Sequence, residues 1–256
     1  MKNLVHAEFK KIFFLNSSKV YILTLIVASL VLGLIFSLTT NVTQGKAIIE
    51  LSSMEVLSAN MLGVDFANIM LIIFTAISIS REFSTKLIHV SLTITPNRRR
   101  FFLGKLITYF LLSVIITIAT VVLTYLISQV ILAANRMPLV TFKDIAVRQF
   151  VFGVATMPIF YTLMTVATTF LFKSSAGAIS FSLGVMVIPA LVKMFSESIQ
   201  KILLPIFPQS AIHSLSGAVE KGSTESLSII TSICVLLAWI AATTLAANFK
   251  FEKQDI

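Results

Sequence analysis

Residues 80–105 read Ser80-Arg81-Glu82-Phe83-Ser84-Thr85-Lys86, then the apolar-rich stretch Leu87 to Thr95, then Pro96-Asn97-Arg98-Arg99-Arg100-Phe101-Phe102-Leu103-Gly104-Lys105. On both sides the sequence turns apolar. Asn60–Ser80 carries a single acid, Asp65, and Leu106–Leu132 carries no charge at all. Each flank is long enough to cross a hydrocarbon core of about 30 Å as a helix. A charged insert between two such runs reads as a water-facing connection between two membrane-spanning helices. That reading decides the fold class.

Working outward, the same pattern recurs along all 256 residues. The chain is 57% hydrophobic and only 12% charged, with a mean hydropathy of +0.96. Soluble domains are roughly half apolar and a quarter charged, so a soluble globular domain is excluded. Six apolar runs are predicted as spans: approximately Val20–Leu38, Asn60–Ser80, Leu106–Leu132, Phe150–Leu171, Ala176–Val192 and Leu227–Ala247. The first is longer than the apolar core of a signal peptide and is read as a retained span. The predicted fold is all-α and integral to the membrane, a single transmembrane domain over 1–256.

Charge sets the expected orientation. With the N-terminus in the cytoplasm, thirteen of the 20 Lys and Arg lie inside, with only four of the 11 acids, so the inner side carries the whole +9. Such a bias places both termini in the cytoplasm of a plasma membrane. The basic balance is then a matter of topology and anionic headgroups, and nucleic acid is not an expected partner.

Between the runs, Val5, Phe9, Ile12 and Phe13 fall at helical spacing beside Lys10 and Lys11, which predicts an N-terminal helix along the inner leaflet. Lys193–Ser216 holds an apolar stretch too short to span and broken by Pro205 and Pro208, so short external helices dipping into the outer leaflet are expected before the last span. Ala238, Ala242 and Ala246 repeat every fourth residue, a packing signal within the monomer or a face for a second subunit. Pro158 interrupts the fourth span.

Several chemistries have no residues to carry them. No Gly-x-x-x-x-Gly-Lys-Ser/Thr or His-Glu-x-x-His occurs, the three histidines are scattered, and Cys234 is alone. No cofactor or metal is therefore expected on this chain, and no enzymatic activity. Ionisable residues are missing from the middle of every predicted span, whereas ion-coupled carriers need a ligand there. The polar residues within spans are mainly hydroxyls. Of these, Thr117, Thr120, Thr124, Thr165 and Thr168 are either bonded back to their own helices or line a mildly polar path for an amphipathic cargo. A chain that moves something uphill without nucleotide or ion must draw energy from another subunit.

Arg81-Glu82-Phe83-Ser84-Thr85-Lys86-Leu87, followed by Leu92-Thr93-Ile94-Thr95-Pro96-Asn97-Arg98-Arg99-Arg100 before a third span, resembles the permease subunits of type-2 ABC exporters. The basic N-terminal helix and the short external helices fit the same pattern, so the resemblance covers essentially the whole chain. Among such permeases it is similar to Gram-positive exporters of phenol-soluble modulins and to bacteriocin-immunity systems. The resemblance implies a dimer with a second permease copy or homologue, a cytosolic ATP-binding subunit that carries ATP and Mg, and a coupling helix between spans two and three. Arg81, Glu82, Phe83, Ser84, Lys86, Leu87 and Arg98–Arg100 fall where that subunit would be met, with the helix expected over Ser84–Val90. Lys86 departs from the pattern, where Gly is more usual. Glu82 is expected to pair with Arg81 or Arg98–Arg100, or with a basic group of the partner. The implied function is export of an amphipathic or hydrophobic substrate, such as a peptide toxin, a bacteriocin or a drug. The alternative is a membrane protein without transport of its own: a channel, an assembly factor or a signalling subunit.

Overall fold

The computed structural model of the protein describes residues 1–43, 45–94, 96–219 and 222–253, and the regular structure of these residues is entirely helical. The elements are α1 (Lys2–Phe14), α2 (Asn16–Leu38), α3 (Thr40–Thr43), a 3-10 turn at Ile48–Glu50, α4 (Ser53–Ser84), α5 (Leu87–Ile94), α6 (Arg98–Ala134), α7 (Ile145–Phe172), α8 (Ser175–Val192), α9 (Glu197–Leu203), a 3-10 turn at Leu204–Ile206, α10 (Pro208–Ser216) and α11 (Ile229–Lys253). Six of them, α2, α4, α6, α7, α8 and α11, are long and apolar enough to cross a membrane. These are the six expected spans.

The outer surface supports a lipid solvent. Val20, Leu23, Val27, Val31 and Ile35 run down one side of α2 and are all exposed. Leu111, Ile115, Ile118 and Val122 do the same on α6. Apolar stripes of this extent are not left against water in a monomer. The protein is a multi-pass membrane bundle.

Most spans outrun the apolar runs that predict them. At about 1.5 Å per residue, the 37 residues of α6 reach about 55 Å, well beyond the hydrocarbon. Hydropathy marks only the part in lipid. The overhang at the start of α6 holds Arg98–Lys105. At the start of α4, Ser52 and Glu55 form a capping box: the Ser52 Oγ accepts from the Glu55 N–H and the Glu55 carboxylate accepts from the Ser52 N–H at 2.7 Å.

Packing follows small residues in α2. Leu25, Ser29, Gly33 and Ser37 are the buried stripe of that helix. They let α4 approach until the Ser29 hydroxyl donates to the Gly63 carbonyl at 2.7 Å. Ala238, Ala242 and Ala246 do not serve this purpose within the monomer. They are exposed on α11, which buries Ser232, Leu236, Thr243 and Ala247 instead. Cys234 is exposed on the same helix.

The bundle has two distinct ends. At the basic end α1, α5, the last turns of α4, α7 and α11 and the first turn of α6 meet around Phe101, Phe102, Phe170 and Phe251. At the other end α10 is not laid on the surface. Ser210, Ala211 and Ile212 are buried, and an added Cβ at Gly153 of α7 would fall 2.3 Å from Ser216. Only α9 of these short helices buries none of its residues. Pro208 opens α10 and Gly217, at φ +68°, closes it.

Candidate functional site

Glu8 and Lys11 lie one turn apart on α1, Glu82 lies near the end of α4, and Lys105 lies two turns into α6. They converge at the basic end. Lys105 is 1% exposed, and its ammonium donates to Glu8 Oε2 at 2.5 Å and to Glu82 Oε1 at 2.6 Å. Lys11 pairs with the same Glu82 oxygen. Two cations thus meet two anions, and the cluster is neutral. Removing one member of a buried ion pair leaves a charge without compensation, so the four side chains are held as a unit. They bind the N-terminal helix to two spans.

This arrangement corrects the expected pairing of Glu82. Arg81 is its neighbour in sequence, but adjacent residues do not share a helix face. The Glu82 face of α4 turns inward to α6, where Lys105 waits. Arg98 instead donates to the carbonyls of Phe251 and Glu252. Arg99 and Arg100 are exposed on the first turn of α6, where the Asn97 side chain accepts from the Arg100 N–H at 2.9 Å. The polar types of the site were visible in the sequence. Lys105 was legible only as one more anchoring charge, and Glu8 only as an acid in a basic helix.

Phe83 is also turned inward. Its ring stands edge-on to Phe170 at 5.4 Å and to Phe251 at 6.4 Å between centroids. It packs against the aromatic core while staying partly exposed. Ser84 is exposed and ends α4. Lys86 adopts φ +57°, the left-handed region that favours glycine, and this stops α4 so that the next helix begins at Leu87. The short helix therefore covers Leu87–Ile94 and not Ser84–Val90. It has two faces. Ile88, 1% exposed, and Leu92 pack against the bundle, whereas Leu87 and Val90, 47% and 59% exposed, point away. Thr95 lies outside the described residues.

Behind the ion cluster is a cavity of about 610 Å³ between α1, α2, α4 and α6. Tyr21, Phe74 and Tyr109 give it an apolar body, and Lys11, Arg81 and Glu82 give it a charged margin. Its lining includes Phe14, Leu15 and Ile77, all exposed, so it opens to the outside of the bundle. An apolar cleft with a few charged groups at one edge suits an amphipathic molecule.

The threonines lie elsewhere. Thr117, Thr120, Thr124, Thr165 and Thr168 are all buried at 0–1% and line neither this cavity nor the one described below. Thr120, Thr165 and Thr168 donate to carbonyls of their own helices, and Thr165 also meets Ser182 of α8 at 2.9 Å. Thr117 and Thr124 are buried too, but their hydroxyls have no hydrogen-bond partner.

At the opposite end a polar chain runs from α7 to the last loop. The Tyr161 hydroxyl donates to Gln209 Oε1 at 3.1 Å, Gln209 Nε2 meets His213 Nε2 at 2.9 Å, and His213 Nδ1 meets Glu225 Oε1 at 2.9 Å. Lys193 closes the chain at 2.5 Å from the other Glu225 oxygen. Either the Nδ1–H tautomer or the protonated imidazole donates from Nδ1 to Glu225. Burial alone would raise the Glu225 pKa, but the hydrogen bonds and charges of His213 and Lys193 outweigh it and hold the carboxyl at about 2.

The acids give a simple census. Glu8 and Glu82 share Lys105, Glu197 has Lys201, and Glu225 has Lys193 and His213. Glu50, Glu55, Asp144 and Glu252 accept hydrogen bonds from nearby N–H groups. Among the described residues, only Asp65 has neither kind of partner. No protein-family model matches the chain, and no curated protein matches it either.

Proposed function

We propose that the chain is the membrane-spanning subunit of an ATP-driven exporter of amphipathic or hydrophobic substrates, such as a peptide toxin, a bacteriocin or a drug. In this reading both termini face the cytoplasm. A separate cytosolic subunit holds ATP and Mg, and a second copy or homologue of the permease completes the transporter. The observation that carries the proposal is the two-faced helix α5. Ile88 and Leu92 dock it to the bundle, while Leu87 and Val90 present apolar area outward, and Lys86, Arg99 and Arg100 are exposed on the turns that flank it in sequence. Exposed apolar residues rimmed by charge, at the end of the molecule expected in water, mark a surface for a protein partner. Just behind α5, the ion cluster of Glu8, Lys11, Glu82 and Lys105 ties α1, α4 and α6 together. A push on α5 would therefore reach three helices at once. The cleft beside that cluster suits entry of an amphipathic cargo from the inner leaflet. The exposed Ala238, Ala242 and Ala246 offer a close-packing face for the second permease.

The test is affinity purification of the tagged chain from native membranes in mild detergent, followed by identification of bound subunits. An ATP-binding subunit should accompany the wild type and be lost from Leu87→Ser/Val90→Ser, with the variant still monodisperse. If no ATP-binding subunit accompanies the wild type, the chain works without one and the reading of a channel, assembly or signalling subunit replaces this one.

A further inference from the structure

We propose that the pocket beneath α10 is a binding site for an aliphatic ammonium group, with Asp65 as its counterion. The pocket has a volume of about 320 Å³ and lies between α4, α7 and α10. Asp65 lines it together with Met61, Phe150, Met157, Gln209 and His213. Asp65 lies five residues inside the apolar run of α4 that begins at Asn60, and ionisable groups inside spans are costly unless they meet a partner. Here the neighbouring groups are already committed. His213 uses one nitrogen for Gln209 and the other for Glu225. Lys193 is bound to Glu225. The pocket therefore has a carboxylate with no ion-pair or hydrogen-bond partner among the described residues, and an apolar wall.

The lining narrows the ligand. A single carboxylate beside a fully engaged imidazole is a poor donor set for a divalent metal, which needs several ligands. An ammonium group needs one anion and one or two neutral acceptors. Gln209 Oε1, which accepts one bond from Tyr161, retains a second lone pair. Phe150 and the two methionines suit the methylene stem. The volume fits a chain of a few carbons, such as a lysine side chain, and is too small for a whole peptide. That such a group belongs to the exported cargo rests on the exporter reading. The binding itself does not, because it is measured without any ATPase.

The experiment uses the full chain in phosphatidylcholine nanodiscs, titrated with n-hexylammonium and with n-hexanol. Saturable binding of hexylammonium is expected, at least tenfold tighter than hexanol. Asp65→Asn should weaken hexylammonium at least tenfold, and Val154→Phe, which narrows the pocket but keeps the carboxylate, should weaken it as well. Repeating the titration with phosphatidylethanolamine in the disc separates the two sources of the amine. Competition by that lipid assigns the site to a headgroup, and unchanged affinity assigns it to an amine arriving from solution. Equal binding of hexanol and hexylammonium by the wild type would overturn the proposal, and this comparison does not depend on either variant folding. Undiminished affinity in a folded Asp65→Asn would overturn it too.

Discussion

The Ser29 hydroxyl donates to the Gly63 carbonyl at 2.7 Å, and an added Cβ at Gly63 would lie 2.2 Å from the Ser29 carbonyl oxygen. The α2–α4 contact is thus a backbone-to-backbone approach that tolerates no side chain at this point. Gly63→Ala should destabilise the bundle by about 1–3 kcal/mol, as overpacking of a tight contact does. Gly184→Ala is the control, because its Cβ would meet nothing within 4 Å. There the helix gains about 1 kcal/mol from the better helix former. Thermal unfolding in detergent should show shifts of opposite sign.

Lys105 carries two anions in a buried place. Lys105→Met should cost about 3–5 kcal/mol, because Glu8 and Glu82 are left without their shared cation. Adding Glu8→Gln and Glu82→Gln to the same chain should recover most of that loss. A triple variant no more stable than Lys105→Met alone would show that Lys105 acts by packing its stem.

Phe83 should behave as a core residue. Its ring contacts with Phe170 and Phe251 predict a loss of about 2–4 kcal/mol for Phe83→Ala, whereas Arg99→Ala on the exposed first turn of α6 stays within about 0.5 kcal/mol. Melting curves of the two variants decide it. A Phe83→Ala protein of unchanged stability would return this residue to the outward surface.

Orientation can be read by labelling. Thr93 and Ser223 are both exposed, at opposite ends of the bundle. In a Cys234→Ala background, Ser223→Cys should react with an impermeant maleimide in intact cells. Thr93→Cys should react only after permeabilisation. Reaction of Thr93→Cys from outside would invert the proposed orientation.

The Glu225 bridges give a pH signature. The folded carboxyl, at about 2, lies below its ordinary value of 4.5. Its contribution is therefore fully present above about pH 4.5 and is lost as the pH falls towards 2. The anisotropy of a dye on Ser223→Cys should be flat from neutral pH to about 5 and should drop below about 4. In Glu225→Gln it should be low throughout.

The six spans were legible in the sequence because each needs only a long apolar run, and nothing in that signal depends on a distant residue. The close-packing stripe was not. Ser29, Gly33 and Ser37 follow the same four-residue spacing as Ala238, Ala242 and Ala246, yet the first stripe is buried and the second is exposed. Spacing identifies a face that permits close approach, and only the partner helix decides which face is used. Glu82 shows the same limit. Its carboxylate announced a polar contact, but Lys105 is 23 residues away and Glu8 is 97 from Lys105, so the cluster exists only once the spans are packed. Lys86 was legible as an oddity, a lysine where glycine is usual. Its positive φ explains the position and moves the start of the following helix.

The bridge between Glu8 and Lys105 also sets a schedule for biosynthesis. Glu8 leaves the ribosome 97 residues ahead of its cation. At about 5–20 residues per second, that gap lasts about 5–20 seconds. During this interval Glu8 lacks its buried cation, and α1 can meet α4 only through Lys11 and Glu82. Its final seat is completed when the third span delivers Lys105. A nascent chain that ends before that point leaves Glu8 without the cation that buries it.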